Sequence, residues 1–126
     1  MEYQPGVCNI GRTERRKRRA MAYLGFAGAF ALLAAVVVVP LGDATALLAM
    51  VPFFGAFMGF YQDRFAFCVG FAALARYDLS GSGGDAGSVT GEAVAKDRQR
   101  AFQIFTFSFV SALVATGVCY AVVGLL

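Results

Sequence analysis

Three stretches of this chain, residues 20–41, 44–62 and 101–126, contain no Asp, Glu, Lys or Arg. Each is rich in Ala, Val, Leu, Phe and Gly. Uncharged apolar runs of this length read as membrane spans, since twenty helical residues at about 1.5 Å rise cover roughly 30 Å of hydrocarbon. The pattern therefore predicts an all-α integral membrane fold with three transmembrane helices. Spans over 20–39 and 44–62 form an antiparallel hairpin, and a third runs over 101–125. The turn falls at Pro40-Leu41-Gly42-Asp43, where Pro cannot continue the helix and Gly permits a reversal.

The segments between the spans are expected on one side. Residues 1–19 form a basic cytoplasmic arm, opening on the turn signal Pro5-Gly6. Residues 63–78 carry only eleven consecutive apolar positions, Phe65 to Ala75. That is too short to cross, and suits an interfacial segment, a re-entrant helix or an extension of the second helix. The Gly/Ser-rich stretch 79–91 predicts a flexible cytoplasmic loop. A cytoplasmic helix start over 92–100, capped by Ser88 or Thr90, should run into the third span. The chain 1–126 thus reads as a single membrane domain with no periodic repeat.

Composition agrees with this reading. The chain is 59% hydrophobic and 15% charged, against about 45–50% and 25% for a soluble domain. A soluble enzyme, a disulfide-stapled secreted domain and a disordered tail are excluded on those grounds. The net charge of +3 is a weak pointer to nucleic acid, and no nucleic-acid partner or soluble substrate is expected. The distribution of charge says more. Six of the eleven Lys and Arg fall at 12–19 and the others are Arg64, Arg76, Lys96, Arg98 and Arg100. With three spans all eleven share one side, so the positive-inside rule puts the N-terminus in the cytoplasm and the C-terminus outside a cell membrane. The first span, at about twenty residues, exceeds the 7–15 of a cleavable leader, so an uncleaved helix is expected.

Candidate chemistry is sparse. Arg12, Arg15, Arg16, Lys17, Arg18 and Arg19 set orientation and can accompany that with contact to lipid headgroups. Gly55 and Gly59 form a GxxxG pair in the second span, while Gly25 and Gly28 on the first and Ser111, Ala115 and Cys119 on the third offer similar small faces. Such faces let helix backbones approach, within one chain or between copies. Phe53, Phe54, Phe57, Phe60, Phe65, Phe67 and Phe71 surround the second span, as lipid or partner contacts. Tyr23, Tyr61 and Tyr77 fall at the inner boundary as interfacial anchors. The ion pair candidate Asp63-Arg64 sits at that boundary too. Cys8, Cys68 and Cys119 lack CxxC spacing and histidine, the usual company of zinc or haem, so no cofactor is expected. Cys8 and Cys68 still reach the same edge, and thiols beside Arg clusters are reactive.

Two short stretches resemble the rhodanese-associated (YgaP-type) small inner-membrane family. Asn9, Gly11, Glu14, Arg15 and Arg18 fit its Asn-x-Gly-x-x-Asp-Arg-x-x-Arg opening, with Glu for Asp. Phe67, Cys68, Phe71 and Leu74 fit its Phe-Cys-Pro-Leu-Tyr-x-x-Leu-like closing segment, with Val69 for Pro. The resemblance covers residues 8–78; the Arg-rich insert, Gln62-Asp63-Arg64 and the third span depart from it. It implies a membrane hairpin whose edges, Cys8-Asn9-Gly11 and Phe67-Cys68, lie together. With no rhodanese domain here, it implies no sulfur transfer. The expected function is a non-catalytic accessory or structural subunit packing against a larger membrane complex or itself. The alternatives are a homo-oligomeric channel or small-solute carrier, and a thiol or metal protein using Cys8 and Cys68.

Overall fold

The computed structural model describes residues 2–39 and 41–126. In chain order it has helix α1 (Arg12–Val38), a 3-10 helix (Asp43–Ala49), α2 (Met50–Arg64), a short α3 (Val69–Ala73), strands β1 (Arg76–Asp78) and β2 (Ala86–Ser88), and α4 (Glu92–Leu125). Three of these units, Arg12–Val38, Asp43–Arg64 and Glu92–Leu125, are long and apolar enough to cross a membrane.

The helices begin and end where the backbone dictates. Helix α1 starts immediately after Gly11 and includes the whole basic run, so residues 12–19 of the basic arm form the first turns of the helix. At its other end Val39 is extended, as steric pressure on a residue before proline requires. Pro40, part of the expected turn, lies outside the described residues, and Gly42 has φ +90°. The second unit opens as a tight 3-10 helix and becomes α-helical only at Met50. Pro52 then falls in the first turn of α2, where a missing N–H leaves little unpaired. Thr45 Oγ1 donates to Leu41 O at 2.9 Å and ties the turn to this start.

Arg15 and Arg19 pair with Asp63, Gly25 meets Ala56 and Phe30 meets Phe53, so α1 and α2 run antiparallel. Phe65 meets Arg100, Tyr61 meets Ser111 and Met50 meets Thr116, so α4 runs antiparallel to α2 and parallel to α1. One consequence is that all eleven Lys and Arg collect at one end, at the starts of α1 and α4, the end of α2 and on β1. A line of buried residues with helical spacing, Asp97, Ala101, Ile104, Ser108, Ala112 and Thr116, carries α4 against the others. The expected small face of α4 is turned by one residue: Ser111, Ala115 and Cys119 flank this line and are half-buried.

Of the alternatives given for 63–78, the structure has a short separate helix, α3. Helix α2 does not extend through the segment. It stops in a Schellman turn, with Ala66 N–H donating to Asp63 O (3.2 Å) and Phe67 N–H to Gln62 O (3.0 Å). The left-handed position this motif needs is filled by Ala66, φ +52°. The stretch expected as a loop, 79–91, contains half of an antiparallel ribbon, with Tyr77 opposite Gly87, and buries Leu79. The fold is therefore helical with one small β-ribbon. Neither Ser88 nor Thr90 caps α4; Gly91, φ +68°, precedes it without a side-chain cap.

Candidate functional site

Among the described residues, the basic end is where polar side chains are brought together in number. Its centre is the arm 8–11, laid between the end of α2 and β1. Asn9 is fully buried. Its Nδ2 donates to Cys68 O at 3.1 Å and its Oδ1 accepts from Cys68 N–H at 2.6 Å. Its own N–H donates to Ala66 O, and its carbonyl accepts from Asp78 N–H. Gly11 N–H then donates to Asp78 O at 2.8 Å, so residues 9–11 sit beside β1 like a third, parallel strand. A side chain at Gly11 has no room, since a Cβ there would fall 2.5 Å from the Leu79 carbonyl. These contacts bring together Asn9, Gly11 and Cys68 of the residues singled out above.

The start of α1 is closed by the turn after β1. Arg12 N–H donates to Ser82 Oγ at 2.8 Å and Thr13 N–H to Ser80 O at 3.1 Å, which satisfies donors that a helix start leaves without partners. Asp78 shapes this turn by accepting from the Ser80 hydroxyl and N–H. Those two bonds hold its carboxyl below the ordinary carboxylate range.

The arginine run divides into two groups with different partners. Glu14 is buried and takes Lys17 at 2.8 Å and Arg18 at 3.4 Å. Arg18 Nη2 also donates to Cys68 Sγ at 2.9 Å. Asp63 takes the other side, pairing with Arg15 at 3.3 Å and Arg19 at 2.9 Å, while Arg64 is exposed and stands apart. Arg12, Arg15, Arg16, Arg19 and Ser82 border a notch of about 250 Å³.

A second polar knot was not legible in advance. Asp97 is fully buried at the start of α4. It accepts from the Tyr3 hydroxyl and, at 2.7 Å, from Gly6 N–H. Tyr3 also stacks on Tyr77, ring centroids 4.8 Å apart. Burial first, and then the bond to Asp97, raise the Tyr3 phenol above its ordinary pKa. Gln62, also buried, donates to Met58 O and accepts from Val69 N–H at 3.0 Å, which seats α3. The position of Asp97 on the stripe continued by Ala101 and Ile104 was the available signal for it.

Of the thiols, Cys8 donates to Glu2 O at 3.3 Å and Cys68 accepts from Arg18; both are buried and neither forms a disulfide. Among the described residues no three His, Cys, Asp or Glu converge as a metal site would need.

The glycines singled out above part company. Gly25 and Gly59 lie at the α1–α2 crossing, where a Cβ on Gly25 would be 2.7 Å from Ala56 N and one on Gly59 2.5 Å from Arg18 O. Gly28 has only an ordinary contact with Pro52, and Gly55 faces open space. Comparison of the chain with protein families, with curated proteins and with solved structures finds no match.

Proposed function

We propose that this chain is a non-catalytic, multi-pass membrane subunit that packs through its apolar helix faces against other membrane helices. The observation that carries the reading is how little of its apolar surface the chain covers for itself. Only 17% of the apolar window of α4 is buried within the chain, and 22% of that of α1. Phe102, Phe105, Phe107 and Phe109 are all exposed. In water such a surface would be an aggregation hazard; in a bilayer it is ordinary lipid-facing or partner-facing surface.

The polar groups are used in construction. On α4, Thr106 and Ser108 donate to carbonyls one turn back, Ser111 bonds Tyr61 and Thr116 meets the Met50 sulfur. A channel or carrier needs such groups directed into a pathway, so their local engagement favours the subunit reading. The collection of positive charge at one end supports a cytoplasmic N-terminus and an external C-terminus.

The experiment is cross-linking within intact membranes, followed by mass measurement of the complex released in mild detergent. The expected result is a defined assembly with a second membrane protein or with further copies of this chain. A monomer throughout, or ion or solute flux through liposomes containing this chain alone, would overturn the reading.

A further inference from the structure

We propose that the notch bordered by Arg12, Arg15, Arg16, Arg19 and Ser82 is a binding site for the phosphate of an acidic phospholipid. The lipid source rests on the membrane reading above. The notch itself rests on separate observations.

The first is an imbalance of charge within a concave site of about 250 Å³. Four arginines line it, and Asp63 partners just two of them, Arg15 and Arg19. Among the described residues no carboxylate oxygen lies within 4 Å of the Arg12 or Arg16 guanidinium. Lys17 and Arg18, on another face of the helix, go to Glu14 instead. The two unmatched guanidinium groups are one turn apart, and each presents the planar fork of donors that fits phosphate oxygens two at a time.

The second is that the notch has a wall and a floor held from outside α1. Ser82 comes from the turn after β1, anchored where its Oγ accepts from Arg12 N–H at 2.8 Å. Asp63 comes from α2, and its bonds to Arg15 and Arg19 hold these two side chains in place. A run of arginines on a free helix would have neither.

The third concerns what lies next along the helix. Arg12, Arg16, Arg19, Tyr23, Ala27 and Phe30 follow one another at helical spacing on a single stripe, and all are exposed. The stripe passes from guanidinium to phenol to bare hydrocarbon. That is the order of polarity from headgroup to acyl chain, with Tyr23 at the level where aromatic anchors sit. A free phosphate would use the upper part of the stripe alone, whereas a phospholipid matches its whole length.

The test uses the full chain in nanodiscs containing phosphatidylcholine and phosphatidylglycerol in equal amounts, with retained lipid counted by native mass spectrometry after transfer to detergent. Wild type should keep phosphatidylglycerol over phosphatidylcholine. The double variant Arg12→Gln/Arg16→Gln changes two exposed side chains and leaves both Asp63 pairs intact. It should lose that retention by about tenfold or more, the scale expected for two cations at a charged surface. Arg64→Gln, an exposed arginine outside the notch, should behave as wild type. Equal retention of the two lipids, or equal loss in Arg64→Gln, would overturn the site. Displacement of the lipid by millimolar inorganic phosphate, with no preference between headgroups, would assign the notch to a soluble anion and overturn the lipid reading. A chain that stays outside the nanodiscs altogether would instead refute the membrane reading, a result readable before any lipid is counted.

Discussion

Asn9 and Cys68, 59 residues apart in the chain, are joined by two hydrogen bonds between the Asn9 amide and the Cys68 backbone. The side chain thereby acts as a piece of strand, satisfying the donor and the acceptor of a buried residue just after α2. Replacing Asn9 with Ala leaves the Cys68 N–H buried without a partner, while the Cys68 carbonyl keeps the Ala72 N–H at 3.1 Å. That should cost about 1–3 kcal/mol for the stranded donor, read as a lower unfolding midpoint in detergent. Cys68→Ala keeps the backbone pair and loses only the Arg18 contact, so it should cost clearly less. An equal loss in the two variants would place the value of this contact in the thiol.

The turn that ends α2 offers a backbone test. Ala66 holds a left-handed conformation, φ +52°, that costs an L-residue about 1–2 kcal/mol. Ala66→Gly relieves that strain but loses a buried methyl and loosens the unfolded chain, effects of about 1 kcal/mol each. Its stability should stay within about 1 kcal/mol of wild type by the same terms. Ala66→Val adds a β-branched side chain at a buried, left-handed position, and should be destabilised by more than about 2 kcal/mol. Chemical unfolding of the three forms side by side distinguishes these outcomes.

These two sites show what could be read from the sequence and what could not. The three long helices follow from where charge is absent, a local property that any window of residues reports. The gathering of eleven cations at one end follows from the same pattern once three spans are counted. The arm 8–11 was legible through Asn9, Gly11 and Cys68, since an ordered terminus needs partners and a resemblance suggested where they lie. Ala66 was not legible, because alanine has no preference for a left-handed turn and takes it only under tertiary constraint. The β-ribbon was hidden for a related reason: a stretch rich in Gly and Ser reads as loop unless one knows that Leu79 is buried and that Gly11 stands against it. Asp97 lay within a charged pentapeptide where nothing separates a buried carboxylate from a solvated one except its helical register. The GxxxG motif divides between the two uses given for it: within the chain Gly59 packs and Gly55 stays open. Spacing alone cannot say that Gly59 meets a helix and Gly55 does not.

Tyr3 supplies a pH dependence. Burial and the bond to Asp97 hold its proton more tightly in the folded chain than the ordinary value of 10.0. The raised value means that its contribution is complete below about pH 10, the unfolded value, and is lost as pH climbs from there through the folded value. The arm should therefore loosen in alkaline solution before the helices unfold, seen as faster proteolysis near Pro5-Gly6. Tyr3→Phe removes the donor to Asp97 and should raise proteolysis at neutral pH while flattening its rise above pH 10, near the free tyrosine value. An unchanged alkaline rise in Tyr3→Phe would assign it to another group.

The two glycines of the second unit make the sharpest comparison. Gly59 lets the α1 backbone approach until a Cβ would stand 2.5 Å from Arg18 O and 2.7 Å from Ala22 N, whereas a Cβ on Gly55 meets nothing within 4 Å. Backbone atoms cannot step aside as a flexible side chain can, so even Gly59→Ala must spread the α1–α2 crossing. The cost expected from overpacking is about 1–3 kcal/mol. Gly55→Ile adds its side chain to an open surface beside Leu24 and Pro52, and should leave the unfolding midpoint of the isolated chain near wild type. Its effect belongs to a different measurement. If this surface packs against a second copy or another membrane helix, Gly55→Ile should weaken that assembly in cross-linking while the chain itself remains folded. Gly59→Ala should lower the stability of the chain first, with assembly failing as a result. Equal destabilisation by the two variants would mean that α2 is rotated from the position described, with Gly55 also against α1.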